Sequence, residues 1–347
     1  MKKFFASICL FAALIFVVSC GGDSSKPADG GDSEKKSLGE ICTGQDKCYY
    51  DYGVTYGVMD ECPTSSSDDF FGQDAQYTSK CTAQSFAAKT VYGDDIVFDN
   101  NTGLTWEQLP SSRSYTWDDA PNHCNDLNSS DYGGKSNWRL PNPLEFLTIV
   151  DNSKSGPATN SNFTEPTFNT TYWWTSKEYK GNTSYAYAFD YNSGRYYGNN
   201  SDSYLKTQTY NVLCVSGDEM QPATSSDFTT QTISGKAVVT DLKTGLMWQK
   251  DYVSGKTWQQ ALKYCEDSTY AGYSDWRLPN KNELASLINY EKSETPYSYF
   301  PDMPSEWFWS SSTVVYFTES AWYMNVSNGT TGNGKKTNNS YVRCVRN

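Results

Sequence analysis

The sequence predicts an α+β protein with two tandem copies of one unit, each made of two helices and an antiparallel sheet. The stretch Trp138–Asn142 reads Trp-Arg-Leu-Pro-Asn and recurs at Trp276–Asn280, with a Glu three residues later in both places. A Thr-Gly-Leu sequence ahead of this motif and a Cys-Val sequence near the end of each unit repeat as well. These matches define copy one, at residues 85–217, and copy two, at residues 227–347.

Residues 1–20 have the pattern of a bacterial lipoprotein signal peptide. Lys2 and Lys3 precede an apolar run that is too short to span a bilayer, and Val-Val-Ser-Cys-Gly follows it. The latter sequence resembles a lipobox, which implies lipidation of Cys20. The protein is therefore expected to be exported and lipid-anchored in the bacterial envelope, at the outer membrane or the cell surface.

Three connecting segments complete the predicted organisation. Residues 21–40 are rich in Gly, Ser, Asp and Lys and are predicted to form a flexible tether. Residues 41–84, which we call the prologue, carry four cysteines and little apolar periodicity. This favours a small disulfide-stapled module that leans on copy one. Residues 218–226 are predicted to link the two copies.

A hairpin is predicted near the start of each copy. In copy two, Ala237–Thr240 and Leu246–Trp248 flank a turn that has Asp and Gly where a tight reversal needs them. Three further strands are predicted in this copy at 308–311, 321–326 and 340–345. The Gly- and Asn-rich loop at 327–339 is predicted to be mobile.

The first helix of copy two is predicted to begin after Thr257, because Gln260 completes a capping box. Apolar residues at helical spacing form its buried face: Trp258, Ala261, Leu262 and Cys265. The second helix of each copy is predicted to begin after the Asn of the repeated motif, with the Glu at its third position. The residues of this motif are assigned a structural role: Trp138, Arg139, Pro141, Asn142, Glu145, Trp276, Arg277, Pro279, Asn280 and Glu283.

Eight cysteines lie outside the leader, and an even number in an exported chain indicates disulfides. The duplication pairs Cys124 with Cys214 and Cys265 with Cys344, and each bridge is expected to stabilise the fold by about 4 kcal/mol. A thiolate metal site is disfavoured, because the chain has no CxxC spacing and a single His.

The prologue cysteines are Cys42, Cys48, Cys62 and Cys81. Four cysteines allow three connectivities, which sequence alone does not distinguish. Proximity along the chain favours Cys42 with Cys48 and Cys62 with Cys81.

The element order and motifs resemble the DUF1566 family, also called the Lcl C-terminal domain. In copy two the resemblance is carried by Thr244–Gln249, Trp276–Leu284, Trp309–Ser311 and Val342–Arg346. Copy one departs from the pattern at Leu213 and Ser216, where copy two has Arg343 and Arg346. The resemblance implies a C-type-lectin-like fold and a secreted or surface-anchored bacterial protein.

Aromatic side chains outside the core pattern are the candidate ligand contacts, since the C–H faces of sugars stack on rings. They are Tyr196 and Tyr197 in copy one and Tyr299 and Tyr323 in copy two, with Arg343 as a candidate cation. The calcium- and sugar-binding triplets of C-type lectins do not occur in the sequence. Calcium on loop carboxylates is therefore unsupported, and neither a metal nor a cofactor is predicted.

Net charge and residue usage limit the function. The net charge is −12, and −14 once the leader takes Lys2 and Lys3 away, which argues against nucleic-acid partners. A single His removes most catalytic triads and zinc sites, so no enzyme is predicted. Formylglycine-generating enzymes share the implied fold, but they need free cysteines that the predicted disulfides consume.

We therefore expect a surface-anchored recognition or adhesion module that binds an extracellular glycan. Two alternatives stay open. One is a structural envelope lipoprotein that engages partner proteins and binds no glycan. The other is a degenerate enzyme of the formylglycine-generating type.

Overall fold

The computed structural model describes residues 35–163, 171–179, 181–197, 204–291 and 299–347. The signal peptide, the lipidation site Cys20 and the tether up to residue 34 lie outside the described residues. So do the side chains of Tyr196 and Tyr197.

The described chain is α+β, with mostly antiparallel sheets. Its α-helices are α1 (Ala120–Ser129), α2 (Pro143–Thr148), α3 (Trp258–Glu266) and α4 (Lys281–Ser286), with short 3-10 helices at Leu38–Glu40, Asp74–Lys80, Tyr132–Gly134, Ser225–Asp227 and Tyr270–Gly272. The prologue and copy-one strands are β1 (Tyr49–Asp51), β2 (Tyr56–Val58), β3 (Phe86–Val91), β4 (Asp94–Asp99), β5 (Thr105–Glu107), β6 (Trp138–Arg139), β7 (Tyr172–Glu178), β8 (Ala186–Asp190), β9 (Arg195–Tyr197) and β10 (Val215–Ser216). The copy-two strands are β11 (Phe228–Ile233), β12 (Lys236–Asp241), β13 (Met247–Gln249), β14 (Val253–Lys256), β15 (Trp307–Thr313), β16 (Ser320–Asn325), β17 (Thr330–Lys335), β18 (Ser340–Val342) and β19 (Val345–Arg346).

Each copy has two sheets, and the sheets correspond between the copies. Copy one has a sheet of order β3-β4-β5-β10-β6 and another of order β7-β8-β9. Copy two has a sheet of order β11-β12-β13-β19 and another of order β14-β18-β15-β16-β17. In both, the last strand returns beside the opening hairpin, with Val215 opposite Trp106 and Val345 opposite Trp248.

The predicted helix starts are present. The side chains of Asn142 and Asn280 accept the backbone N–H of Glu145 and Glu283, and each Glu closes a capping box. Thr257 and Gln260 form the corresponding box at the start of α3.

The two copies share one hydrophobic core. Phe146 of α2 and Leu284 of α4 are buried in the same cluster as Trp106 and Trp248 from the opening hairpins. Residues 35–347 accordingly form one compact unit. A shared core of this kind is not visible in a sequence duplication, which shows only that each copy has its own apolar faces.

The predicted bridges Cys124–Cys214 and Cys265–Cys344 are present, each joining the first helix of its copy to the chain just before the last strand. The prologue pairing favoured from proximity was wrong. The structure joins Cys42 to Cys81 and Cys48 to Cys62. The hairpin of β1 and β2 lies within the segment that the Cys48–Cys62 bridge closes, and pairing of Ile41 with Thr82 brings the two ends of the prologue together, so the two bridges are nested.

Two segments that were predicted to be flexible contain ordered structure. The predicted tether extends to residue 40, but Leu38 is buried in the shared core and Leu38–Glu40 is a 3-10 helix. The predicted mobile loop at 327–339 contains strand β17, which pairs along its whole length with β16. Its glycines have a packing role, because a Cβ at Gly332 or Gly334 would clash with the Tyr323 ring. None of the helices in the described ranges is long and apolar enough to cross a membrane.

Candidate functional site

The repeated motif forms the same ion pair in both copies. Arg139 donates through both terminal nitrogens to Glu145, at 2.8 and 2.7 Å. Arg277 does the same to Glu283, at 2.7 and 2.6 Å. Each Glu also closes the capping box of its helix, so the motif fixes a strand end to a helix start and has the predicted structural character.

A cavity of about 430 Å³ opens beside this motif in copy one. The floor and walls come from α1, β6 and β7, and the linker closes one side. Its lining consists of Trp117, Asp118, Pro121, Cys124, Asn125, Trp138, Arg139, Leu140, Ser176, Lys177 and Glu219. We call this cavity the copy-one pocket.

The pocket combines indole rings with two cations. The Lys177 ammonium lies 3.1 Å from Glu219 and 2.9 Å from Glu291. Burial alone would lower the pKa of Lys177, but the hydrogen bonds to Glu291 and Glu219 outweigh it and raise that pKa. Lys177 is therefore a persistent cation at neutral pH. The hydroxyl oxygen of Ser176 is buried, and no residue of the described ranges hydrogen-bonds to it.

The corresponding surface of copy two is identified by matching hydrogen bonds. The indole N–H of Trp117 donates to Thr175, and that of Trp258 donates to Ser310. The backbone N–H of Ser176 donates to the Pro141 carbonyl, and that of Ser311 donates to the Pro279 carbonyl. In this register Lys177 corresponds to Ser312, because each follows the matched serine directly.

In copy two this surface is not open, because the prologue covers it. Phe70 packs against Trp258 with ring centroids 6.3 Å apart. The Tyr77 hydroxyl donates to Glu266 at 2.5 Å, and the guanidinium of Arg277 lies 5.3 Å from the centre of the Tyr77 ring. The prologue was expected to lean on copy one. It does contact copy one, since Asn152 donates to the Thr43 carbonyl and Gln84 donates to the Val150 carbonyl, but it also covers copy two, which the sequence did not predict.

Asp74 completes the contact between the prologue and copy two. Its carboxylate accepts hydrogen bonds from Thr43 at 2.6 Å and from Ser312 at 2.5 Å. Burial raises the pKa of Asp74 to about 6, against these hydrogen bonds, which lower it. Coverage by the prologue also changes exposure: the Arg277 side chain is 4% exposed, while that of Arg139 in the open pocket is 26% exposed.

Comparison with known protein families agrees with the duplication. The profile of the Lcl C-terminal domain matches residues 95–216 and again residues 237–346. The chain belongs to the Lcl C-terminal domain family. No curated protein matches the chain.

The predicted ligand contacts of the second Lcl domain copy lie mostly in its core. Tyr299 is buried, stacks on Phe228 at 3.9 Å and donates its hydroxyl to Leu287. Arg343 is buried, donates to the Gln249 carbonyl at 2.7 Å and lies 4.0 Å from the Phe300 ring centre. Both assignments were therefore wrong, because these side chains hold the domain together and have no open face.

The remaining predicted aromatics have different outcomes. Tyr323 is half-buried and packs between Trp307 and Trp309, over the glycines of β17. For Tyr196 and Tyr197 the structure describes only the backbone, which is the strand β9 paired with β8. Their assignment as ligand contacts stays a prediction.

One cluster in the described part of the chain has the spacing of metal ligands. It contains Glu107, His123 and Cys214. The sulfur of Cys214 is bonded to Cys124, and the His123 ring lies 2.9 Å from a Glu107 carboxylate oxygen. The arrangement is a hydrogen-bonded pair beside a disulfide, and Glu107 also accepts the Cys214 backbone N–H at 2.6 Å.

Sequence reasoning missed Trp117, Asn125, Lys177 and Glu219 as parts of one pocket. A signal was present, since Lys177 stands where copy two has Ser312 beside otherwise matching residues. This difference indicates a pocket only once it is known that the prologue covers the surface of copy two and leaves that of copy one open.

Proposed function

We propose that this protein is a lipid-anchored recognition and adhesion module of the bacterial envelope that binds a partner protein in the copy-one pocket. One observation carries the proposal. The equivalent surface of copy two binds a polypeptide segment, residues 69–77 of the prologue, through Trp258, Arg277 and Ser312. The same constellation in copy one has an open cavity in place of that segment.

We further propose that each copy has the C-type-lectin-like fold implied by its family. Two short helices, an antiparallel sheet and a disulfide from the first helix to the end of the copy support this assignment. A binding role is favoured over catalysis, because Lys177, the amine in the pocket, is engaged by two carboxylates as a cation. Anchoring through Cys20 would display the pocket at the envelope surface.

The test compares peptide and glycan ligands directly. The full chain in detergent is screened against a displayed peptide library and against a glycan array, the latter with and without calcium. Lys177→Met is the pocket variant, since it removes the ammonium without supplying the hydroxyl that Ser312 offers in copy two. Lys263→Met is the control, because Lys263 is exposed and its replacement removes the same charge. Saturable peptide binding that Lys177→Met abolishes and Lys263→Met preserves supports the proposal. Binding to glycans alone, or peptide binding that is indifferent to Lys177, contradicts it.

A further inference from the structure

We infer that the copy-one pocket recognises a peptide segment that carries an acidic residue followed three positions later by an aromatic one. This inference rests on the proposed function and names its ligand. The spacing is that of Asp74 and Tyr77, which occupy the matching surface of copy two. The chain thus holds its own example of the complex that copy one is built to form with a partner.

The example has three anchoring contacts. Phe70 is buried with Leu262, Cys265 and Leu278 of copy two. The Asp74 carboxylate accepts a hydrogen bond from the hydroxyl of Ser312, and the Tyr77 ring packs over the guanidinium of Arg277. A cation over an aromatic face is favourable, more so when both groups are removed from water.

The receptor groups for these contacts persist in copy one. Arg139 corresponds to Arg277, and its side chain lies partly exposed in the pocket wall. Asn125 corresponds to Glu266 and offers an amide to a tyrosine hydroxyl. Trp117 corresponds to Trp258, and Pro121 to Leu262, so the apolar part of the surface is kept.

The change at the acidic position makes copy one more selective for a carboxylate. Where Asp74 meets the neutral hydroxyl of Ser312, a ligand carboxylate in copy one would meet the ammonium of Lys177. An ammonium adds the attraction between opposite charges to the hydrogen bond, which a hydroxyl cannot supply. The buried hydroxyl of Ser176, which has no hydrogen-bond partner among the described residues, is a further group in the pocket lining that such a ligand could satisfy.

The linker occupies this position in the structure. Glu219 lies 3.1 Å from Lys177 and its side chain is about one-third exposed. Its pKa is lowered, since its bonds to Lys177 and Asn142 outweigh the effect of burial. A ligand carboxylate would replace Glu219 on Lys177, so the linker acts as an internal competitor of the same chemistry.

The test uses labelled peptides with the sequence of residues 68–80, Asp-Asp-Phe-Phe-Gly-Gln-Asp-Ala-Gln-Tyr-Thr-Ser-Lys, added to the full chain in detergent. Fluorescence anisotropy measures binding of this peptide and of versions carrying Asp74→Ala or Tyr77→Ala. We expect each change to weaken binding about tenfold or more, as does Lys177→Met in the protein. Lys263→Met should leave affinity within about twofold, because exposed charges away from the site contribute little.

The peptide changes keep the inference testable even where a protein variant does not fold. Equal binding of the parent and Asp74→Ala peptides would overturn it, as would binding that survives Lys177→Met and therefore takes place elsewhere. The library screen separates the two levels of the proposal. Pocket-dependent peptides that lack the acid-aromatic spacing would refute this inference and leave the proposed function standing.

Discussion

The ion pairs Arg139–Glu145 and Arg277–Glu283 have the same chemical groups but differ in burial, so their removal should affect stability to different extents. Arg277→Met and Arg139→Met both remove a guanidinium from a buried glutamate and keep much of the apolar stem. We expect Arg277→Met to lower the free energy of unfolding by about 3 to 5 kcal/mol, the usual cost of breaking a buried pair. For Arg139→Met we expect about 1 to 3 kcal/mol, nearer the loss of a charge-assisted hydrogen bond.

The difference follows from what remains around each glutamate. Without Arg139, Glu145 keeps the backbone N–H groups of Asn142 at 2.8 Å and Met220 at 3.0 Å. The space that the Arg139 side chain leaves borders an open pocket, from which water can enter. Without Arg277, Glu283 keeps the N–H of Asn280 but lies beneath the prologue, and Tyr77 loses its cation. A buried carboxylate with fewer donors is more costly.

Guanidinium unfolding of the disulfide-intact chain, followed by tryptophan fluorescence, measures both variants. The double variant Arg277→Met with Glu283→Gln is the control, because Gln keeps an acceptor for the capping box but removes the unpaired charge. It should recover at least about 1 kcal/mol of the loss. Equal costs for Arg139→Met and Arg277→Met, or a larger cost in copy one, would refute the reasoning from burial.

Three further predictions concern titration and covalent links. The folded-state pKa of Asp74 is raised to about 6, so the native state binds this proton more tightly than the unfolded state does. The contribution of Asp74 to stability is therefore present at low pH and is lost as pH rises from about 4 to 6. Asp74→Asn should flatten this fall when unfolding is measured as a function of pH, and an unchanged slope contradicts the assignment. Lys336 is buried over Trp258 and its pKa is lowered to about 7, chiefly by burial. The unfolded state therefore binds more protons than the native state between about pH 7 and 10, and the stability contributed by this group rises across that range. Lys336→Met should remove the rise and stabilise the protein at pH 7 by about 1 kcal/mol or more, measured by thermal unfolding. Replacing Cys265 and Cys344 together by Ser opens a link with a sequence separation of 79 and should cost about 4 kcal/mol, measured by denaturant midpoint, whereas a cost under about 1 kcal/mol would show that the bridge adds little.

Local signals predicted local structure well. The capping boxes at Asn142, Asn280 and Thr257 were predictable because the groups that bond lie three residues apart in the chain. The bridges Cys124–Cys214 and Cys265–Cys344 were predictable because duplication divides the four cysteines into equivalent pairs. Strand β17 was missed, since its glycines weaken intrinsic strand preference and only packing under Tyr323 accounts for them.

By itself, the sequence determined the duplication, the family, the helix starts and the disulfide of each copy, because all of these follow from short-range spacing or from comparing one copy with the other. Only the tertiary structure decided which surface the prologue covers. That choice depends on long-range contacts of Phe70, Asp74 and Tyr77 with residues about 190 to 240 positions away, such as Glu266 and Ser312. Amino-acid composition and hydrophobic periodicity do not predict such long-range contacts. They leave copy two covered and copy one open, so two nearly equivalent motifs differ in their exposure.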